Sequence, residues 1–444
     1  MRLALVSCLA WCLAGCAAAA RTHVVVVSID GLKPESYLEP DRLGLAVPTF
    51  RRMVREGVVG TDTRTVLPSV TYPSHTTIAT GVPPAAHGIV SNYAFDPLGR
   101  NMDGWWWYAE DIRAPTVWDA ARAAGRTVAL IDWPVTVGAK ADVLVPEYWR
   151  AGTADDQKII RALATPGFLD EVAARRPGFW DRYTPPNVTD EAGVDLAEHA
   201  LETRRPDLLF LHIWQTDDRQ HDSAPGSAPA LAAIENADRQ LARLIAAAGR
   251  AGIAAHTVFV VVSDHGFAAA DRSFRPGVLL RERGLLTLDD RNKVVAWRAQ
   301  VDVEGFTYVY LRDPNDAEAA RAARAAFEGA TGPDQPIARI FDAAEIRARG
   351  GDPKAIFGLD PAPGWRFLPG AAGPVTVLEP RTLGVHGMDP ERPEMRASLL
   401  FWGEGIAAGR RLDGASLVDV AGTVADLLGI PFPSAQGRRL RVRP

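Results

Sequence analysis

Three Asp, three His and one Thr, spread from position 30 to position 386 of a 444-residue chain, could together hold metal ions. They stand in Ser28-Ile29-Asp30-Gly31, Thr71-Tyr72-Pro73, Asp217-Asp218-Arg219-Gln220-His221, Ser263-Asp264-His265-Gly266 and Val385-His386-Gly387. Carboxylate and imidazole donors without sulfur suit Zn²⁺ or another first-row divalent ion. Two such ions, about 3.5–4 Å apart, clamp the attacking and leaving oxygens of an in-line phosphoryl displacement. A threonine hydroxyl is a weak nucleophile at its free pKa, and metal coordination activates it. Asp217 and His221 are spaced i, i+4, so one helical turn puts both on one face. Pro73 suits a helix start, which places Thr71 at a helix N-terminus, where N–H groups and the dipole favour an alkoxide and a phosphate. Each fragment alone has an ordinary explanation, such as a turn after a strand or a solvated helix face. Their joint, ordered occurrence carries the argument.

Residues this far apart in sequence need a scaffold that gathers loop ends. Residues 23–29 are a continuous β-branched run, suited to a strand buried on both faces of a parallel sheet. Residues 127–131, 207–213, 256–262 and 397–401 are further strand-length apolar runs, and 48–56, 115–124, 228–248 and 416–428 read as helices. This alternation predicts an α/β fold: a mostly parallel central sheet with helices on both faces, whose carboxyl edge binds ligands. Residues 268–384 break the rhythm with the run 306–311, an Ala-rich helix near 317–328 and a Pro/Gly-rich stretch at 358–374. They read as a cap subdomain inserted into a core of residues 22–267 and 385–435.

Hydrophobic content of 47% and charged content of 23% place the chain among globular proteins. Net charge is −5, and residues 1–20 carry only Arg2, so the remainder holds −5 − 1 = −6. That balance argues against a nucleic-acid polymer as partner. A small phosphorylated substrate stays open, because bound cations reverse the local field. Residues 1–20 read as an export signal, with Arg2 before an apolar region and small residues after it. Leu13-Ala14-Gly15-Cys16 resembles a bacterial lipobox, which implies a lipid-anchored protein of the periplasm or cell envelope; plain secretion and an uncleaved anchor are the alternatives. All three cysteines lie in this segment, so the mature part has no disulfide and no thiolate site. Oligomeric state is not readable.

In their order, these motifs and the ending Val418-Asp419-Val420-Ala421-Gly422-Thr423 resemble the alkaline phosphatase superfamily, in particular its nucleotide pyrophosphatase/phosphodiesterase branch. That resemblance implies one metal on Asp30, Thr71, Asp264 and His265, and another on Asp217, His221 and His386, with Zn²⁺ first among the candidates. It implies that Thr71 attacks phosphorus and forms a covalent phosphothreonine that is later hydrolysed. His87-Gly88-Ile89-Val90-Ser91-Asn92 also resembles the branch, with Asn92 donating to a phosphoryl oxygen. Tyr72 and Trp133 fall where the resemblance implies substrate contacts. The implied activity is hydrolysis of nucleotide-like or lipid-headgroup diesters.

Alternatives remain on the same scaffold. A phosphomonoesterase adds a cationic contact for the extra charge; Arg100, Arg113 and Lys140 are present but unmatched. A phosphonate hydrolase is possible. A sulfatase is not, because Thr71-Tyr72-Pro73-Ser74-His75 lacks the convertible Cys or Ser and the Arg. An inactive metal-binding surface protein is the reading of another class. His75 and His87 read as structural hydrogen-bonders, and His23, His199, His212 and His256 as ordinary. Trp105-Trp106-Trp107 reads as packing against the cap.

Overall fold

The computed structural model describes residues 21–444, apart from 102–103, 151 and 186. The export signal, including Cys16, lies outside the described residues.

The β-branched run forms the strand His23–Ile29, paired in parallel with Leu208–Ile213 on one side and Thr257–Val262 on the other. Its side chains alternate between two cores. Val25, Val27 and Ile29 pack with one set of helices, Val24 and Val26 with the other, so both faces are covered. This burial on both sides is why the run carries no polar alternation. Val128–Ile131 and Val143–Val145 extend the sheet in parallel beyond Leu208–Ile213. At the other edge, Leu399–Gly403 runs antiparallel to both Thr257–Val262 and Val58–Gly60, and Arg410–Leu412 closes the sheet of eight strands.

The expected helices are present, Pro48–Glu56 at the expected bounds and the other three with shifted ends. The helix expected at 115–124 is Val117–Ala123, because Thr116 caps it by accepting the Asp119 N–H at 3.2 Å. The helix expected to end at 248 continues as Ala228–Arg250. Four helices, Asp155–Leu163, Phe168–Arg175, Phe179–Arg182 and Asp190–Thr203, fill the stretch before Leu208–Ile213. Asp190–Thr203 is buried from Ala192 to Leu201, which erases the usual polar face.

Residues 268–385 build their own sheets. Ala299–Glu304, Phe306–Leu311, Phe357–Pro361 and Ile337–Asp342 form an antiparallel sheet in that order. Ala268–Phe274 lies between Gly364–Phe367 and Thr376–Val385. A separate apolar cluster around Phe274, Val309, Phe327 and Leu359 holds these strands together. Val385 pairs with Ala268, so the segment leaves and re-enters the core at one point.

His87 shows how tightly the region near the site is packed. The Ile89 N–H donates to its Nδ1 at 3.2 Å, so Nε2 carries the proton and donates to Thr77 Oγ1 at 2.9 Å. Burial pushes its pKa down to about 3. The folded ring stays neutral, whereas the unfolded ring gains a proton below about pH 6.5. The stabilisation is complete above pH 6.5 and is lost as pH falls below it. At pH 5 the loss from this ring is about 2 kcal/mol. His87→Gln is expected to flatten the curve of Tm against pH between 7.5 and 5; an unchanged slope would rule the ring out as its source.

Candidate active site

The parallel strands deliver the site at their carboxyl ends. Asp30 follows His23–Ile29, and Asp264 and His265 follow Thr257–Val262. Asp217 and His221 sit on the helix Gln215–Ser223, which leaves Leu208–Ile213. His386 comes directly after Thr376–Val385, so the inserted segment supplies the approach to this ligand. Thr71 opens the helix Thr71–Thr80; Tyr72 to Thr80 are buried, and Thr71 keeps some exposure.

These side chains converge. His265 Nε2 lies 3.1 Å from Asp264 Oδ2 and 3.4 Å from Asp30 Oδ1. His386 Nε2 lies 3.1 Å from His221 Nε2 and 3.6 Å from Asp217 Oδ1, and His221 Nε2 is 3.5 Å from Asp217 Oδ1. The rings of His265 and His386 stack at 3.6 Å, joining the two groups. Donor atoms of Asp30, Asp264 and His265 fall within 4.8 Å of one another, as do those of Asp217, His265 and His386.

The hydrogen bonds around these groups fix which atoms face inward. Each His gives its Nδ1 proton to a backbone carbonyl: His221 to Gly384, His386 to Ser69 and His265 to Gly266, at 3.0, 3.1 and 3.1 Å. Each Nε2 therefore presents a lone pair. Two of those lone pairs, on His221 and His386, oppose each other, which only a cation or a proton relieves. Asp264 Oδ1 accepts the N–H groups of Gly31 and His265 at 3.1 and 3.0 Å, leaving Oδ2 inward. Asp30 Oδ2 bonds His212 Nε2 at 3.1 Å, leaving Oδ1 inward. Asp30 Oδ1, Asp217 Oδ1, Asp264 Oδ2 and His265 Nε2 are buried without a hydrogen-bond partner. Buried polar atoms are almost always paired, so four orphans aimed at one space fit divalent ions. Burial, then the charges of Asp264 and Asp217, hold the Asp30 carboxyl well above its ordinary pKa, a strain that cations would remove.

His212 is a site residue that the sequence reading left as ordinary. Besides Asp30, it bonds Glu147 Oε2 through Nδ1 at 2.9 Å. Glu147 also accepts the Tyr72 hydroxyl at 2.9 Å and Trp149 Nε1 at 3.2 Å. The available signal was one polar residue inside the buried run Leu208–Ile213. Gly31 is required by geometry: its φ is +65°, and a Cβ there would lie 2.4 Å from the Phe267 ring.

Asn92 Oδ1 accepts the Tyr72 N–H at 2.8 Å, so its amide NH₂ is the end free to donate beside Thr71. The Asn92 and Tyr93 N–H groups are held by Glu304 at 2.7 and 3.1 Å, tying the Asn92 loop to the cap. Asn92→Ala is expected to lower kcat roughly ten- to a thousand-fold. Glu304→Ala, acting through the same loop, should shift kcat in the same direction by less. Steady-state kinetics on the diester checks both, and unchanged kcat in Asn92→Ala would remove it from the reaction.

Two aromatic expectations need correction. Trp133 is fully buried against His75 and Phe210, at 4.8 and 4.7 Å, and does not line the cavity beside Thr71. Its neighbour Asp132, at φ +49°, takes the cavity side of this turn. Trp105 and Trp107 do not pack on the cap: their ring partners are Tyr72, Tyr93, Tyr148 and Trp149. Tyr72 does line the cavity, although its ring is packed against Trp105 at 4.9 Å and its hydroxyl is committed to Glu147. His75 is structural as expected, bonding the Thr71 carbonyl at 2.8 Å and Ser28 Oγ at 2.9 Å.

The cavity holds about 370 Å³ and runs from Asp30, Thr71 and Asp217 to Trp149 and Tyr183. Arg100, Arg113 and Lys140 do not line it.

Comparison with known proteins gives the family and the fold. The family model for type I phosphodiesterase / nucleotide pyrophosphatase matches residues 24–389. An uncharacterized pyrophosphatase/phosphodiesterase of Schizosaccharomyces pombe is 24% identical, over 94% of this chain and 79% of that one. Ectonucleotide pyrophosphatase/phosphodiesterase family member 3 of Bos taurus is 24% identical over 55% of this chain, a match that spans only 24% of the bovine protein. The solved structure of murine ectonucleotide pyrophosphatase/phosphodiesterase 5 superposes with a TM-score of 0.64 at 21% identity, covering 94% of this chain and 97% of that one. An inactive threonine-to-alanine variant of that murine protein, in complex with AMP, also has a TM-score of 0.64. With its alkaline-phosphatase-like fold, this chain belongs to the type I phosphodiesterase / nucleotide pyrophosphatase family of phosphoester hydrolases.

Proposed function

We propose that this protein is an exported phosphodiesterase that uses Thr71 as nucleophile and two divalent ions, with Zn²⁺ preferred. The observation that carries the reading is the set of inward lone pairs and orphaned carboxylate oxygens gathered at the start of the Thr71 helix. Asp30, Thr71, Asp264 and His265 would hold one ion, and Asp217, His221 and His386 the other. Bound there, the ions supply Lewis-acid stabilisation of phosphoryl charge and lower the pKa of the Thr71 hydroxyl.

The chain's own groups do the rest. Thr71 Oγ gives its proton to water and bonds to phosphorus as the bond to the leaving alkoxide breaks, and the alkoxide takes a proton back from water. Water then cleaves the phosphothreonine, restoring the hydroxyl. The Asn92 amide donates to a non-bridging oxygen in both steps. Among the described residues no Lys or Arg lines the cavity, which favours a diester over the more highly charged monoester. Nucleotides are candidate substrates, given the AMP complex of the murine relative.

The test is kcat/KM for bis-p-nitrophenyl phosphate against p-nitrophenyl phosphate on the zinc-loaded protein. A diester preference of orders of magnitude supports the reading; a monoester preference sinks it. Export and a lipid tether rest on residues 1–20 alone. Cys16→Ser is expected to move the protein from the membrane fraction to the soluble one, and continued membrane retention would contradict lipidation.

A further inference from the structure

The cap meets the Asn92 loop along the strand Ala299–Glu304. Asp302 and Glu304 stand two residues apart on this strand, so their side chains leave the same face. Glu304 accepts the N–H groups of Asn92 and Tyr93, at 2.7 and 3.1 Å. The Ser91 side chain, itself buried, bonds to both carboxyls. A hydroxyl has one proton to give. It serves one carboxylate, and the bond to the other acid needs a proton on that acid.

The surroundings offer no cation to balance two negative charges. No Lys, Arg or His among the described residues pairs with Asp302 or Glu304. Asp352 adds a third acid, its Oδ2 accepting the Tyr310 hydroxyl at 2.8 Å and its N–H donating to the Tyr308 hydroxyl at 3.1 Å. Burial raises the pKa of both phenols, so they stay neutral. Lys354 reaches Asp352 only through its backbone N–H. Burial also raises Asp302 and Glu304 well above the ordinary carboxyl range, with Asp352 adding to it at Asp302 and Asp302 adding to it at Glu304. Two acids this close, away from bulk water, do not both ionise at neutral pH. The two N–H donors fix the negative charge on Glu304, which leaves the proton to Asp302.

We propose that Asp302 and Glu304 share one proton through Ser91 and thereby seat the Asn92 loop, which makes Asp302 a positioning residue for the Asn92 amide. Asp302 donates to Ser91 Oγ, Ser91 donates to Glu304, and ionised Glu304 holds the two N–H groups. Loss of the shared proton sets two charges against each other, so the loop leaves Glu304 as pH rises. The effect on turnover rests on the phosphodiesterase reading above; the effect on the loop does not.

The first arm of the test is kcat on bis-p-nitrophenyl phosphate from pH 7 to pH 9, with the full, zinc-loaded chain. Ionisations at Thr71 and the metals act on wild type and variant alike and cancel in their ratio. The ratio of Asp302→Asn to wild-type kcat is expected to rise at least about fivefold across this range, because the amide has no proton to lose. A flat ratio would overturn the proposal. The second arm is hydrogen exchange of the Asn92 and Tyr93 amides in the wild type, with the strand His23–Ile29 as internal reference. Their protection relative to the strand is expected to fall at least about tenfold between pH 7 and pH 9, and constant relative protection would overturn the proposal. This arm needs neither a variant nor turnover, so it decides if Asp302→Asn fails to fold. If no ester is cleaved while protection falls, the carboxyl pair stands and the diesterase reading fails. If the diester is cleaved and protection is constant, the reading stands and the pair does not.

Discussion

Thr71→Ala is expected to lower kcat on bis-p-nitrophenyl phosphate by at least about 10³-fold while leaving metal content unchanged. The size follows from the role: removing a nucleophile deletes the bond-forming atom, not one stabilising contact. Metal content should persist because six other donors remain, and five of them, Asp30, His221, Asp264, His265 and His386, keep their Nδ1 or carboxylate anchors. The helix should also persist, since the Tyr72 N–H is held by Asn92 rather than by the Thr71 side chain. Metal analysis and kinetics on one preparation check this. Retention of more than about a tenth of wild-type kcat would remove Thr71 as nucleophile.

Stripping the metals should have an effect of similar size and a second signature. Without cations, Asp30, Asp217 and Asp264 share a buried space with opposed imidazole lone pairs. Removal is expected to abolish activity by about 10³-fold or more and to lower Tm by several degrees, both restored by Zn²⁺. Ligand linkage sets the thermal part: an ion present at about a thousand times its Kd adds about 4 kcal/mol. Dialysis against chelator, then calorimetry and assay with and without added zinc, measures both. A stripped protein with unchanged Tm and activity would mean the cluster is not a metal site.

The ligand set is legible in sequence for a physical reason. Strand ends at a parallel sheet edge place the residues just after each apolar run into one crevice, so Asp30 and Asp264 announce themselves by position. The i, i+4 pair Asp217–His221 does the same through helical periodicity. The residues that orient these ligands are not legible in that way. His212 hides inside a buried strand, and Glu147 follows a strand of only three residues, Val143–Val145. Their significance appears only when strands 65 residues apart are brought together. Trp133 was misread because a Trp beside a strand end can face either side of the turn; here φ +49° at Asp132 gives the cavity to the acid. The helix Asp190–Thr203 is hard to read because burial on nearly all sides removes its amphipathic period. That His386 closes the site directly after a cap strand also needed the fold, since Val385 pairs with Ala268 across the whole insertion.

The most direct test is the stereochemical course at phosphorus, measured with a chiral, isotopically labelled diester hydrolysed in ¹⁸O-water. Attack by Thr71 followed by water is two in-line displacements, so the account predicts net retention. Net inversion would show a single displacement by water and would contradict a covalent phosphothreonine on this chain.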